Sequence, residues 1–134
     1  MGLEIQQRER EGIIILDLNG RLTVGLEVST FRERLQKLID SGRTNIILNL
    51  KDVDYIDSTG LGALVMSYTS LQRAGGKIKL LNLSRRGIEL LVMTKLTTIF
   101  EVFDDEQNAI NSFFPDRELK RFDILSFVQQ QKEE

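Results

Sequence analysis

The sequence predicts a single α/β domain with a mixed, mostly parallel sheet of about five strands and helices packed against it. Short segments with alternating or continuous apolar residues predict strands, and longer segments with apolar residues every three or four positions predict helices. The two kinds alternate after a first pair of strands joined at Glu11-Gly12, which gives the order ββαβαβαβα. A chain of 134 residues, 41% of them hydrophobic, is long enough to bury one core.

The strands are predicted from short apolar segments that end at turn residues. Residues 3–9 and 13–18 form the opening hairpin, and Asn19-Gly20 ends its second strand. The segment at 44–50 is apolar enough to be covered on both faces. The fourth and fifth strands are predicted at Lys77–Leu81 and 98–103.

The helices are predicted from helical spacing and end signals. The first spans 24–40, begins at Thr23 or at a capping box opened by Thr30, and ends at Ser41-Gly42. Its inward residues are Val28, Phe31, Leu35 and Leu38. The remaining helices are predicted at 58–73, after a cap at Ser84 with Ile88, Leu91 and Val92 inward, and at 106–114 behind the acidic cap Asp104-Asp105-Glu106.

The composition changes after Pro115, so we divide the chain into a domain at 1–114 and a C-terminal extension at 115–134. Apolar residues in the extension recur every three positions, which predicts an amphipathic helix: Leu119, Phe122, Leu125 and Val128. That helix either packs on its own domain or makes a contact with a partner or a second copy in a homodimer.

The composition excludes several classes of function. The net charge is −2, so the chain has no basic excess for binding nucleic acid. It contains no histidine and no cysteine, which removes the usual zinc ligands, histidine-based catalysis and disulfides. We therefore expect no metal, no cofactor and no enzymatic activity.

The chain offers no segment that would carry it into a membrane. Its start has no apolar signal-peptide core, and its longest purely apolar run, residues 13–16, is far shorter than a membrane span. We therefore expect a cytoplasmic protein without direct membrane insertion.

The residues most informative about function run from Asp57 to Gly62, where the third strand gives way to the second helix. Asp57 or Ser58 would cap that helix. Capping does not require Gly60 and Gly62, each of which costs about 1 kcal/mol of helix propensity. The pattern is explained equally well by close packing against a neighbouring element and by a functional surface that a partner or a phosphate approaches.

A phosphate on Ser58 would alter binding without altering the fold. It adds about −1.5 to −2 of charge at pH 7, which the dipole and free N–H groups of a helix N-terminus tolerate. A partner that fits the neutral hydroxyl and carries a carboxylate nearby would be repelled, so the residue could act as a switch.

Other charged groups give weaker interpretations. Asp52, Asp54 and Asp57 resemble a magnesium or receiver-type site, but the required partners elsewhere are missing, and we expect Asp52 and Asp54 to be turn residues. The cations at Lys77, Lys79, Arg85 and Arg86 are predicted to be solvated rather than an anion site.

In the segment around Ser58 the chain resembles the STAS family, which is shared by sulfate transporter tails and bacterial anti-sigma factor antagonists. The resemblance is carried by the segment from Asn49-Leu50 to Gly62, by Gly20-Arg21-Leu22 and by Gly75-Gly76, and it extends over residues 3–114.

The resemblance implies a non-enzymatic regulator of transcription and signal transduction that works by partner switching. Its partner would be an anti-sigma factor that doubles as a serine kinase, with Ser58 as phosphoacceptor and Asp57 as flanking acid. A metal-dependent serine phosphatase would reverse the modification. The implied docking surface consists of Thr23, Asp57, Thr59, Gly60, Leu61 and Gly62.

Two departures from the antagonist pattern leave the partner's identity open. Thr23 stands where many antagonists carry an aspartate, and residues 115–134 extend past the usual end. The alternative function is a STAS accessory subunit that braces an ABC-type lipid transporter or a larger signalling assembly, without obligatory phosphorylation. A nucleotide or small-molecule binder is a further alternative.

Overall fold

The structure is a computed structural model that describes residues 2–117 together with residues 124, 125, 127 and 128. The predicted order ββαβαβαβα is confirmed, with one added 3-10 turn, Leu96–Thr98, before the last strand. The elements are β1 Leu3–Arg10, β2 Ile13–Leu22, α1 Leu26–Asp40, β3 Asn45–Ile56, α2 Ser58–Arg73, β4 Lys77–Leu81, α3 Arg85–Met93, β5 Val102–Phe103 and α4 Glu106–Asn111.

The five strands lie in the order β1-β2-β3-β4-β5. β1 and β2 are antiparallel, and every later pair is parallel. Parallel strands end at the same edge of a sheet, so the loops that follow β2, β3 and β4 meet at one edge. The start of α2 lies at this edge because α2 follows β3 after a single residue, Asp57.

Each face of the sheet has its own core, as the alternation of residues along β2 predicts. Ile14, Leu16 and Leu18 face the larger core, which α1, α2 and α3 cover. Ile13 and Ile15 face a smaller core that α4 covers. The inward residues predicted for α1 are confirmed as buried: Val28, Phe31, Leu35 and Leu38.

β2 and β3 both continue well past their predicted ends. The prediction that Asp52 and Asp54 form a turn is wrong, because both lie within β3. The parallel pairing with β2 continues through Asn19 opposite Asp52 and Leu22 opposite Ile56, past two irregularities in register. Strand pairing satisfies the backbone here and overrides the turn preference of aspartate.

Three other predicted boundaries move inward, whereas α2 and β4 have the predicted bounds. α1 begins at Leu26 rather than at residue 24, because Gly25 adopts a φ of 106° and interrupts the helix; Thr30 lies inside it and does not cap. β5 is reduced to two residues, because the 3-10 turn takes up Thr98 and residues 99–101 belong to no helix or strand. α4 ends at Asn111, and its cap at Asp105 is confirmed.

Two side chains on β4 and α3 differ from prediction. Lys79 is buried rather than solvated, with its Nζ 2.6 Å from Glu101 Oε1 and 5.4 Å from the centre of the Phe113 ring. Val92 is exposed, although Ser84 caps α3 as predicted by accepting from the Gly87 N–H.

Most of the predicted C-terminal helix lies outside the described residues, including Leu119 and Phe122. Ile124 packs against the larger core, whereas Leu125 is 76% exposed. The homodimer contact therefore stays a prediction.

A charged network fastens α4 to the sheet. Arg8 donates to both Asp17, at 2.7 Å from Nε, and Glu106, at 2.9 Å from Nη1. Asn49 extends the network by donating to Asp17 at 2.8 Å, and Arg10 also donates to Glu106. The hydrogen bond from Arg8 is the main reason that the pKa of Glu106 falls from 4.5 to about 2.

We expect this network to weaken in acid. A carboxylate with a lowered folded-state pKa stabilises the fold above its unfolded pKa, and the contribution is lost as pH falls through the folded pKa. Between about pH 4.5 and pH 2 the free energy of unfolding should fall by roughly 3 kcal/mol on account of Glu106. Urea unfolding at several pH values measures this contribution. The variant Glu106→Gln should lack this part of the pH dependence, and the control Glu33→Gln, on the exposed face of α1, should keep it. Superimposable pH profiles for wild type and Glu106→Gln would contradict the assignment.

Candidate functional site

Asp57, rather than Ser58, caps α2. Asp57 has an extended backbone (φ −90°, ψ −177°), and its Oδ1 accepts from the Gly60 N–H at 2.7 Å. The sequence left both residues open as the cap, and the carboxylate takes the position that an N-cap side chain occupies. The Ser58 hydroxyl is therefore not needed to satisfy the first turn.

The second oxygen of Asp57 joins α2 to the loop between β2 and α1. Its Oδ2 accepts from the Val24 N–H at 2.9 Å, and the Asp57 N–H donates to the Leu22 carbonyl at 3.3 Å. The bond from Val24, followed by the one from Gly60, lowers the pKa of the Asp57 carboxyl. The site is therefore built from two chain segments held together by one carboxylate.

Ser58 is the first residue of α2 and is exposed to solvent, as is Thr59. No hydrogen bond joins the Ser58 side chain to another described residue. Its hydroxyl stands at a helix N-terminus, where the dipole favours negative charge. A kinase could therefore reach the hydroxyl without unfolding the chain.

The two glycines have different roles. Gly60 is buried, and a Cβ there would lie 2.0 Å from the Leu22 carbonyl oxygen, so it lets α2 pack on the end of β2. Gly62 is exposed, and a Cβ there would meet nothing within 4 Å. Close packing thus accounts for Gly60, whereas only Gly62 leaves bare helix backbone open to a partner.

The structure places the predicted docking residues at different depths. Thr59 and Gly62 are exposed, and Thr23 is half-buried in the loop that Asp57 holds. Leu61 is half-buried and packs against the larger core, and Gly60 lies beneath the surface. A partner at the surface would therefore not contact Gly60, and it would contact only the exposed part of Leu61.

Three exposed apolar residues near the site were missed in the sequence. Val24 and Leu26 are 66% and 73% exposed in and just after the loop held by Asp57. Met66 is 53% exposed, one helical turn beyond Gly62. The sequence offered the signal that α2 contains no acidic residue and only one basic residue, Arg73. Loss of charge on an exposed face is typical of the centre of an interface.

The geometry does not support the metal interpretation of the aspartates. In residues 2–117 and the four described positions beyond them, no three carboxylate, histidine or cysteine side chains converge as metal ligands. Asp52 and Asp54 lie exposed on β3, and Asp57 is committed to backbone donors. Among the same residues, no helix is long and apolar enough to cross a membrane.

Comparison with known proteins identifies the family: residues 4–109 match the STAS domain, and the chain belongs to the STAS domain family. It is 34% identical to the anti-sigma-B factor antagonist of Bacillus subtilis (strain 168) over 82% of this chain and 99% of that protein. It is 28% identical to the anti-sigma F factor antagonist of Paenibacillus polymyxa, over 82% and 94% of the two chains.

A solved structure shares the fold. A candidate anti-sigma factor antagonist from Thermotoga maritima superposes with a TM-score of 0.76 at 25% identity, over 81% of this chain and 92% of that one. The predicted resemblance to the STAS family is therefore confirmed.

Alanine at the two glycines should have opposite effects on stability. Gly60→Ala forces a methyl group into the Leu22 carbonyl and should lower the free energy of unfolding by about 1–3 kcal/mol or more. Gly62→Ala meets open space and should raise it by up to about 1 kcal/mol through helix propensity. Urea denaturation measures both. Equal effects of the same sign would show that the two positions do not differ as described.

Replacing Asp57 with asparagine should free the loop while keeping the helix cap. The single amide oxygen can still accept from Gly60, but the amide nitrogen cannot accept from Val24. Hydrogen exchange at the Val24 amide should therefore become faster in Asp57→Asn, with the Gly60 amide less affected. Asp54→Asn on the exposed surface of β3 is the control. Unchanged protection of Val24 would show that Asp57 does not hold the loop.

Proposed function

We propose that this chain is an anti-sigma factor antagonist whose binding to the anti-sigma factor is switched off by phosphorylation of Ser58. The observation that carries the proposal is that Asp57 and Ser58, at the start of α2, have different roles. Asp57 satisfies the helix end, which leaves the adjacent Ser58 hydroxyl exposed and uncommitted. The names of the relatives support the general role, and antagonists of this kind are regulators rather than enzymes.

In the proposed reaction this chain supplies only the acceptor hydroxyl. A serine kinase would transfer the γ-phosphoryl group of ATP to Ser58 Oγ, with loss of the hydroxyl proton and release of ADP. The product gains about −1.5 to −2 of charge at pH 7. The helix N-terminus stabilises that charge, while the neighbouring Asp57 carboxylate adds to the local negative potential. A metal-dependent serine phosphatase would restore the hydroxyl by hydrolysis.

The unphosphorylated surface suits a protein partner. It combines exposed hydroxyls at Ser58 and Thr59 with bare backbone at Gly62 and apolar side chains at Val24 and Leu26. In an interface of effective dielectric about 20, a like-charge pair at about 5 Å costs roughly 3 kcal/mol. Two added charges facing one partner carboxylate would cancel most of the roughly 8 kcal/mol that holds a micromolar complex together.

The proposed partner is an anti-sigma factor that also serves as the kinase, and the proposed place of action is the cytoplasm, where ATP and RNA polymerase are found. Thr59 is the rival acceptor, since it is also exposed in the first turn of α2. No nucleic-acid contact is proposed.

Charge at position 58 should decide binding. Ser58→Ala should bind a candidate anti-sigma factor from the same genome as wild type does, whereas Ser58→Asp should weaken the complex at least tenfold in calorimetry. Gln72→Glu is the matched control, because it adds the same charge to an exposed position about 21 Å along the same helix. If Ser58→Asp and Gln72→Glu bind alike, the proposed switch is wrong.

Phosphorylation itself should be specific to one hydroxyl. Incubation with that anti-sigma factor and ATP should add the mass of one phosphate to wild type and to Thr59→Val, and none to Ser58→Ala. A phosphate that persists in Ser58→Ala and disappears in Thr59→Val would move the acceptor to Thr59.

A further inference from the structure

The end of α2 farthest from Ser58 lines a cavity of about 240 Å³. Tyr68 and Gln72 of α2 form one side, and Lys77, Ile78 and Lys79 of β4 form another. We propose that this cavity binds a small organic monocarboxylate. Ser58 and Gln72 are separated by about 21 Å along α2, so the cavity is distinct from the surface proposed for partner binding.

The cavity exists because β5 pairs with only the last part of β4. The pairs are Leu80 with Val102 and Leu81 with Phe103. Leu80 donates its N–H outward to the Glu101 carbonyl at 3.0 Å, and alternate residues of a strand direct their N–H groups to the same side. The Ile78 N–H therefore points to the same outer edge, where β5 does not pair with it; β3 pairs with Ile78 on the opposite side. The cavity thus contains a backbone donor at its β4 wall.

A buried lysine forms part of the same wall. The Lys79 side chain is only 7% exposed, and its Nζ lies 2.6 Å from Glu101 Oε1. Burying this ammonium group has a desolvation cost that an apolar residue would avoid, although the Glu101 side chain is 38% exposed. The centre of the Phe113 ring lies 5.4 Å from the same Nζ. The ammonium group is therefore fixed in position beside the cavity rather than free to move in solvent.

The charges of the lining favour an anion. Lys77 is exposed, lines the cavity and forms no ion pair with another described residue. Together with Lys79 and Glu101 it leaves one net positive charge. The Tyr68 hydroxyl and the Gln72 amide add neutral donors. A single carboxylate satisfies this set of donors without leaving the surplus charge unpaired.

The remaining lining sets the size and polarity of the ligand. Ile78 and Ile99 provide apolar surface beside the charged groups. The volume of about 240 Å³ lies below the roughly 300–1,000 Å³ of pockets for drug-sized ligands. The ligand class is therefore a short monocarboxylate with a small apolar body.

Titration of the unphosphorylated, full chain with hexanoate tests the proposal by ¹⁵N–¹H correlation spectra. Hexanoate should give saturable shifts at Ile78, Lys79 and Ile99, with Ser58 and Gly62 unmoved. Hexanol and hexylammonium have the same apolar body without the negative charge and should bind at least fivefold more weakly. Absence of saturable shifts up to about 10 mM, a concentration about ten times a Kd of roughly 1 mM, would overturn the proposal.

A pair of lysine variants tests the charge argument. Lys77→Gln should weaken hexanoate binding at least fivefold, while Lys51→Gln, an exposed lysine of β3 outside the cavity, should leave it unchanged. Both variants are at exposed positions, and their unfolding curves verify that each remains folded. If Lys77→Gln and Lys51→Gln weaken hexanoate binding equally, the binding depends only on the net charge of the protein and the proposed site is wrong. Neither experiment depends on phosphorylation, so failure here leaves the proposed switch standing.

Discussion

The candidate site depends on the Asp57 carboxylate, which accepts two backbone hydrogen bonds from different parts of the chain. One oxygen satisfies the Gly60 N–H within α2, and the other holds the Val24 N–H of the preceding loop. An aspartate that only capped its helix would leave the loop without this hydrogen bond to the start of α2. Because both oxygens are used, the apolar loop residues and the exposed Ser58 hydroxyl form one surface.

This arrangement requires α2 to lie unusually close to the end of β2. Gly60 allows the approach, since any side chain there would meet the Leu22 carbonyl. The same contact buries Gly60 and turns Ser58, Thr59 and Gly62 outward. Tight packing inside the domain and an accessible surface outside it are therefore two consequences of one helix position.

The two ends of α2 differ in character. The first turn has exposed hydroxyls and no charged side chain of its own, whereas the last turns border the cavity at the open edge of β4. The short β5 is responsible for the second feature, because two residues cannot cover a strand of five. One helix thus connects the surface proposed for partner binding with the cavity proposed for a small anion.

The sequence by itself determined the order of elements, the two faces of β2, the inward side of α1 and the family, because periodicity and the motif around Ser58 are local properties. Only the tertiary structure decided that Asp52 and Asp54 continue a strand, that Lys79 is buried, and that Asp57 rather than Ser58 is the cap. The first two depend on partners distant in sequence: β2 for the two aspartates and Glu101 for Lys79. The cap bond of Asp57 is local, from Gly60, but its second bond comes from Val24, which is distant in sequence. Local pattern cannot reveal such partners, since hydrogen bonding and burial are settled when distant segments meet.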